Sequence, residues 1–501
     1  MKITFLPLDE RPCNSKYIQM ITSSTPEIEL DNCPQKIMGT QKKAADRQKV
    51  NSFLSESTQD ADALVLSMDT FLYGGLIPSR IHHLDQQTID QQFAFLTELK
   101  QQRPALKIYA SICLMRSPQY NSGAEEPDYY AQYGRRIHRR AYLQDKQQRE
   151  SLTAAEQTEL AQIEIPAEMV NDYEQRRDFN EVANMKALQL VKDGIIDFMV
   201  IPQDDSAPFG YTALAQKRIF NKISELDLES KVNIYPGADE VGNTLVTRAY
   251  VEQQGKTPRI YPFYASTYGP FIVPLYEDRP MKETLKYHVR ACGAELVETP
   301  AEADLILAIN CPGKVMQRAK EQINHLDNTY VSYRNLNDFI DKIGSFIAAG
   351  YPVAVCDSAF GNGGDLSLIK RLDQQGLLAK LHAYAGWNTD ANTLGTVLAD
   401  AIINLNQPQH NQKHLQYRLL EDVFYQAIVR QDALEEKLPE LGYEDYDFEP
   451  VMAEVCEYIK QDLMVNYQKL AFSQQYPIQI TKVSLPWKRL FEVNLEFEVM
   501  G

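Results

Sequence analysis

The chain has 501 residues, a formal net charge of −17 and a hydrophobic content of 44%. This length predicts two or three domains, and the apolar content is sufficient for a large core. The negative charge disfavours a nucleic acid or an anionic membrane as partner, because phosphate binding requires a basic face. Seven cysteines without a CxxC pair predict neither a disulfide framework nor a zinc site.

The first residues, MKITFLPLDERP, lack the apolar stretch of a signal peptide, and no run is long enough to span a membrane. We therefore expect a cytoplasmic protein with no membrane partner. The sequence leaves homo-oligomerisation open.

Short apolar runs alternate with helical patterns, which is typical of α/β architecture. Strands are predicted at 3–8, 28–30, 63–68, 107–114, 197–201, 232–235, 259–264, 294–297, 304–309, 352–356 and 381–385. EIELDN before DADALVLSMD is echoed by GAELVET before EADLILAIN, a short strand followed by an Ala-Asp step and a buried strand. The echo predicts two tandem doubly wound units of Rossmann or flavodoxin type. The alternative is a (β/α) barrel with added strands.

The predicted domains are an N-terminal α/β domain at 1–255, a second α/β domain at 256–405, and a mainly helical cap at 406–501 that ends in a strand. The segment at about 140–190 is polar and helix-prone. It interrupts the first domain, so we expect a helical insertion that serves as a lid or an oligomer contact.

Polar side chains follow nearly every predicted strand. The carboxyl ends of parallel strands lie at one edge of a sheet, where ligands bind. We therefore expect one site that combines the paired acids of IPQDDSAPFG with substrate-binding residues from the other loops. The paired acids are Asp204 and Asp205, and the substrate-binding candidates are Asp9, Arg11, Asp69, Tyr73, Arg80, Arg116, Asp239, Glu240, Trp387 and Asn388.

Two adjacent carboxylates cannot easily both ionise, so the pKa of one rises and that group becomes a proton donor near neutral pH. Glycoside hydrolysis needs this division between an acid and a stabilising carboxylate. We assign Asp205 as the general acid and Asp204 as the stabilising carboxylate, although the order could be reversed. Adjacent acids also occur in substrate-assisted hexosaminidases, which suggests an N-acetylhexosamine-containing glycoside. The rings of Tyr73, Tyr120, Tyr211 and Trp387 are candidate platforms for a sugar.

Two other functions fit the same residues. In a Mg²⁺- or Mn²⁺-dependent phosphohydrolase, strand-end carboxylates would hold the metal and arginines would bind phosphate. The carboxylates would be Asp9, Asp69, Asp204, Asp239 and Asp357, and the arginines Arg11, Arg80 and Arg116. The third possibility is a non-catalytic carbohydrate-binding protein. The chain has no HExxH, GxSxG, GxGxxG or P-loop motif, so we expect neither a cofactor nor a resident metal.

Five motifs, LPLDERP, SMDTFLYGGLIPSR, IPQDDSAPFG, PGADEVG and AYAGWNTDANTLGT, occur together in this chain. Their combination resembles the bacterial family known as domain of unknown function 4127, from Leu6 to about Trp487. The resemblance implies a bacterial, enzyme-like protein and carries no established activity.

Overall fold

The structure is a computed structural model that describes residues 1–407 and 411–500. Two open parallel sheets, each flanked by helices, confirm the predicted doubly wound α/β class. The barrel alternative is wrong because neither sheet closes on itself.

The first sheet has six strands in the order β2-β1-β3-β4-β5-β6, all paired in parallel. The central strands read as uninterrupted apolar runs because helices cover both faces. The strands are β1 Lys2–Leu6, β2 Glu29–Asn32, β3 Ala63–Ser67, β4 Lys107–Ser111, β5 Phe198–Gln203 and β6 Val232–Pro236.

Ten helices accompany these strands in the described residues up to Gln254. They are α1 Pro12–Thr22, α2 Arg47–Ser57, α3 Met68–Tyr73, α4 Pro78–Ile81, α5 Gln86–Gln102, α6 Tyr130–Arg149, α7 Ala154–Gln162, α8 Ala167–Lys192, α9 Tyr211–Glu225 and α10 Val241–Gln254. Helices α6, α7 and α8 occupy the segment between β4 and β5, where the polar helix-prone stretch lies.

The second sheet has five parallel strands in the order β13-β11-β9-β7-β8. Its first three strands in the chain are arranged like those of the first sheet, and the echo in the sequence falls on the second and third strand of each. The remaining strands are β7 Arg259–Tyr264, β8 Glu295–Leu296, β9 Leu305–Asn310, β10 Gln317–Arg318, β11 Val353–Asp357, β12 Phe360–Gly361, β13 Ala383–Ala385, β14 Ile478–Ser484 and β15 Asn494–Val499.

The second half also contains ten α-helices among its described residues. They are α11 Met281–Ala291, α12 Thr329–Ser332, α13 Leu336–Ala348, α14 Leu366–Gln374, α15 Asp390–Ile403, α16 Gln412–Arg418, α17 Arg430–Asp432, α18 Leu438–Leu441, α19 Met452–Gln468 and α20 Phe472–Gln475. A π-helical stretch, Leu419–Val429, continues α16. The C-terminal region is helical as predicted, and its final strand pairs antiparallel with a strand that the sequence did not indicate, in the β14–β15 hairpin.

The chain divides into two compact units. Unit 1 contains Met1–Glu10, Glu27–Ala249 and Tyr276–Asp278, and unit 2 contains Arg11–Pro26, Tyr250–Leu275 and the described residues from Arg279 onward. The six-stranded sheet lies in unit 1 and the five-stranded sheet in unit 2. None of the helices in the described parts of the chain combines the length and apolar character needed to cross a membrane.

Candidate functional site

The carboxyl ends of the strands in unit 1 form one edge, where the loops after four strands share a small apolar cluster. Leu8, Leu76, Cys113 and Ala238 make up this cluster, from the loops after β1, β3, β4 and β6. The Thr70 hydroxyl lies 2.7 Å from the carbonyl oxygens of Pro7 and Leu8. These contacts fix the loops that carry the polar candidates.

The paired acids begin the loop that follows β5. Asp204 comes directly after the last strand residue, and Asp205 has a φ of 47° in the left-handed region. Aspartate tolerates this region better than most residues, although it still carries some strain. Gly210, with a φ of 99°, ends the loop at the start of α9. The backbone therefore holds the two carboxylates in a defined turn.

Arg80, from α4, is 1% exposed and is surrounded by carboxylates. Its Nη2 donates to Oδ2 of Asp204 at 2.8 Å. Its Nη1 lies 3.4 Å from Oε2 of Glu125 and 3.3 Å from Oε1 of Glu126. One buried guanidinium thus contacts three acids.

Arg116, from the loop after β4, contacts the same acids and also Asp205. Its Nε donates to Oε1 of Glu126 and its Nη2 to Oε2 of Glu125, each at 2.8 Å. Its Nη1 lies 3.2 Å from Oδ2 of Asp205 and 3.4 Å from Oδ2 of Asp204. Two arginines and four carboxylates form one network, which we call the Asp-Arg cluster: Arg80, Arg116, Glu125, Glu126, Asp204 and Asp205.

Sequence reasoning missed Glu125 and Glu126, which lie in the loop before α6 rather than directly after a strand. Glu126 is fully buried, and its Oε1 accepts hydrogen bonds from both arginines. The adjacent acids of GAEEPD were a visible signal, because they repeat the paired-acid pattern of IPQDDSAPFG. Burial raises the pKa of Glu126, against the lowering effect of the two guanidinium groups.

The two members of the Asp pair have different surroundings. Burial, followed by the negative charge of Asp204, raises the pKa of Asp205 to about 7. Asp204 accepts from both guanidinium groups, whereas Asp205 contacts only Arg116. The cluster therefore places a carboxyl that carries a proton near neutral pH beside a carboxylate held by two cations.

Asp69 lies at the same edge, in the first turn of α3. Its Oδ2 accepts from the backbone N–H of Cys113 at 3.0 Å. Burial raises the pKa of Asp69 to about 6, and the charge of Arg80 acts in the opposite direction. Asp69 is thus a second carboxyl that titrates well above its usual range.

The loops after β1 and β6 also place acids at this edge. Glu10 accepts from the backbone N–H of Gln41 at 3.0 Å. Glu240 is buried and accepts at 3.0 Å from the backbone N–H of Ala238, a residue of the shared apolar cluster. Asp9 and Asp239 are buried.

Two of the predicted aromatic platforms are buried in the cores of their units. Tyr73 is 2% exposed and stacks on His82 with ring centroids 4.8 Å apart. Trp387 is 1% exposed and packs edge-on against Tyr17 and Phe491. Neither ring has a face open to a sugar, because core side chains already cover it. Their expected platform role needs correction to a packing role.

The other predicted residues of unit 2 are placed as follows. The Nη1 of Arg11 donates to Oε1 of Glu492 at 2.8 Å, and the guanidinium lies 4.3 Å from the Trp487 ring centroid. Asn388 has a φ of 65° and donates through Nδ2 to Asn392 at 2.7 Å. Arg11 therefore neutralises a buried glutamate, and Asn388 shapes its loop.

Comparison with known proteins assigns the chain to a family. The family model described as "Protein of unknown function (DUF4127)" matches residues 3–496. The chain belongs to this family. No curated protein matches the chain. The match spans the Asp-Arg cluster of this DUF4127 protein as well as both sheets.

The donor sets bear on the metal alternative. In residues 1–407 and 411–500, no three His, Cys, Asp or Glu side chains are grouped so that they could hold a metal ion. The carboxylates of the Asp-Arg cluster face guanidinium groups instead, which occupy the oxygens that a cation would need. The carboxylate set of the phosphohydrolase hypothesis therefore does not fit a divalent ion as it stands.

Proposed function

We propose that this protein is a hydrolase that cleaves a small glycoside, with an amino sugar such as an N-acetylhexosamine next to the scissile bond. Asp205 protonates the leaving oxygen, and Asp204 stabilises the positive charge that develops at the sugar or orients the acetamido group. We expect the protein to work in the bacterial cytoplasm on a small-molecule substrate, without a cofactor.

The unequal surroundings of the Asp pair are the observation that carries this proposal. Asp205 has a pKa raised to about 7, while Asp204 lies 2.8 Å from the Arg80 guanidinium. A general acid is most effective when its pKa lies near the working pH. A stabilising group must stay ionised, which the two arginines promote at Asp204. The pair therefore supports one proton donor and one fixed negative charge.

The charge balance of the cluster favours a neutral or cationic sugar over a phosphate. Four carboxyl groups surround two guanidinium groups, so the arginines are already paired within the protein. A phosphate would have to displace these partners and would face the remaining acids. This argues against the phosphohydrolase alternative.

Tyr120 is an aromatic side chain that remains accessible beside the cluster. It is 45% exposed and interacts electrostatically with Arg116 and Asp205. An aromatic ring at the rim of a polar site suits the apolar face of a sugar ring. Tyr120 takes over the platform role that burial removes from Tyr73 and Trp387.

The test compares aryl and alkyl glycosides of N-acetylhexosamines with the wild type, Asp205→Asn and Asp204→Asn. Loss of the general acid should slow alkyl glycosides by roughly 10²–10⁴-fold and activated aryl glycosides much less. Loss of the stabilising carboxylate should slow both substrates, because charge develops whatever group departs. Asp145→Asn is a control that removes a buried carboxylate outside the cluster, one that accepts from Gly210 N–H.

Equal losses on both substrates for Asp205→Asn would remove this residue from the acid role. Wild-type activity in both variants would show that the pair is structural. Phosphatase activity that a chelator abolishes, without glycosidase activity, would replace the proposal with the metal-dependent alternative.

A further inference from the structure

The carboxyl edge of the sheet in unit 2 carries a second group of buried polar residues. They follow β7, β9, β11 and β13, at the edge where doubly wound folds bind ligands. The chain changes direction across this sheet between β7 and β9, which is the usual position of such a site. The glycoside proposal uses none of these residues.

Most of this polar group is internally satisfied. Asp357 accepts from Asn310 Nδ2 at 2.8 Å, from the Tyr384 hydroxyl at 2.7 Å and from the backbone N–H of Asp365 at 2.8 Å. Arg334 pairs with Asp365 at 2.6 Å. A Cβ on Gly364 would lie 2.3 Å from the Tyr384 hydroxyl. The glycine-rich GNGGD segment is thus explained by packing around Asp357.

Asp390 is the exception. It is 2% exposed, and within residues 1–407 and 411–500 neither of its carboxylate oxygens has a hydrogen-bond partner. The same holds, in the described chain, for the hydroxyl of Tyr264. Buried polar atoms are satisfied in the great majority of cases, so each exception calls for an explanation.

These unsatisfied groups are neighbours. The negative charge of Asp390 contributes to raising the pKa values of the Tyr264 hydroxyl and the Cys356 thiol, after the larger effect of burial. The Ser358 hydroxyl faces Asp390 and lowers the pKa of its carboxyl, which burial raises. Three oxygen-bearing side chains, from the loops after β7, β11 and β13, therefore surround one point.

The charge at this point identifies the class of ligand. Among the described residues, no lysine, arginine or histidine forms an ion pair with Asp390, whereas Asp365 is paired with Arg334. The amino end of α15 adds only partial positive charge, and Thr389 rather than Asp390 caps it. A buried carboxylate without a cation is costly, so a cationic ligand would stabilise it most.

We propose that Asp390, Tyr264 and Ser358 form a binding site in unit 2 for the primary ammonium group of a small amine. An ammonium has three N–H donors and a positive charge. Two carboxylate oxygens and two hydroxyl oxygens supply acceptors on several sides. A neutral diol would satisfy hydrogen bonds but would leave the charge of Asp390 uncompensated.

The experiment measures binding of radiolabelled methylammonium to the full chain by equilibrium dialysis at pH 8 and constant ionic strength. Competition with unlabelled tetramethylammonium and ethylene glycol tests the ligand class. The variants are Asp390→Asn, Tyr264→Phe and Ser358→Ala, with Asp341→Asn as the control for an exposed aspartate on α13. Thermal melting establishes that each variant is folded.

We expect saturable binding of methylammonium that tetramethylammonium and ethylene glycol do not displace. Asp390→Asn should weaken binding by roughly tenfold or more, since a hydrogen bond to a charged group is lost with the charge. Tyr264→Phe and Ser358→Ala should each weaken it by a few-fold, and these two keep the test valid if the Asp390→Asn variant does not fold. Asp341→Asn should bind like the wild type.

Absence of saturable binding would overturn the proposal, because water alone would then satisfy Asp390. Equal displacement by ethylene glycol would assign the site to hydroxyl groups instead of ammonium. Undiminished binding in all three site variants would place the amine elsewhere on the protein.

Discussion

Nη2 of Arg80 lies 2.8 Å from Oδ2 of Asp204, although 124 positions of the chain separate the two residues. Arg80 lies in α4, which follows β3 and α3, and Asp204 follows β5. The parallel sheet brings both segments to one edge, and burial makes the contact energetically important. This ion pair fixes which member of the Asp pair stays charged.

Replacing Arg80 with methionine should destabilise the fold strongly. The change leaves Glu126 and Asp204 with one guanidinium fewer in a buried setting, and removing one partner of a buried pair costs about 3–5 kcal/mol. The exposed pair Arg139–Glu159 is the control, at 2.8 Å, and Arg139→Met should cost less than about 1 kcal/mol. Urea denaturation of both variants measures the difference. Equal losses would show that burial does not set the value of the Arg80 contacts.

Activity on glycosides should fall with a pKa near 7 on the alkaline side. Asp205 must carry its proton to act as an acid, and its pKa is raised to about 7, so kcat/KM should be level below this pH. Above it, kcat/KM should fall about tenfold per pH unit. The measurement is a pH profile with an alkyl glycoside for the wild type and Asp205→Asn. If the alkaline limb persists in the variant, another group is responsible for it.

Asp390→Asn should change how stability depends on pH. Burial raises the pKa of Asp390 from 3.8 to about 7, so the folded state holds a proton that the unfolded state releases between these values. The contribution of Asp390 to stability is therefore fully present below about pH 4 and is lost as the pH rises to about 7. Asparagine does not titrate. The variant should gain up to about 4 kcal/mol relative to the wild type between about pH 4 and about pH 8.

Denaturation by urea at pH 5 and pH 8 tests this prediction, because comparing variant with wild type cancels the titration of the other buried acids. Asp341→Asn should show no such change, because this aspartate is exposed. A stability difference between the Asp390→Asn variant and the wild type that stays constant with pH would contradict the raised pKa.

Gly364→Ala should disrupt the network around Asp357. The added Cβ would lie 2.3 Å from the Tyr384 hydroxyl, and overpacking of this kind typically costs about 1–3 kcal/mol. Tyr384→Phe removes the clashing oxygen, so the double variant should lose less stability than the sum of the two single changes. Gly344→Ala is the control: its Cβ meets only Leu377, at 3.4 Å, and helix propensity favours alanine. Strict additivity would mean that the clash is relieved elsewhere.

The sequence alone determined the architecture and part of the site. Uninterrupted apolar runs predicted every strand of both parallel sheets, because such strands are buried on both faces and show this locally. The echo between EIELDN and GAELVET identified two units whose first three strands share one order. The pair Asp204 and Asp205 stood out because two adjacent carboxylates after a core strand carry a local electrostatic penalty.

Only the tertiary structure decided how the polar residues are partnered. Glu126 follows no strand directly, so its place between Arg80 and Arg116 depends on how a long loop returns to the sheet edge. Trp387 belongs to a strand-end loop that looked like part of a site, yet its ring packs in the core. Burial and ion pairing depend on atoms that are far apart along the chain. Apolar periodicity is a property of neighbouring residues, which is why the sequence predicts strands better than it predicts the partners of their polar ends.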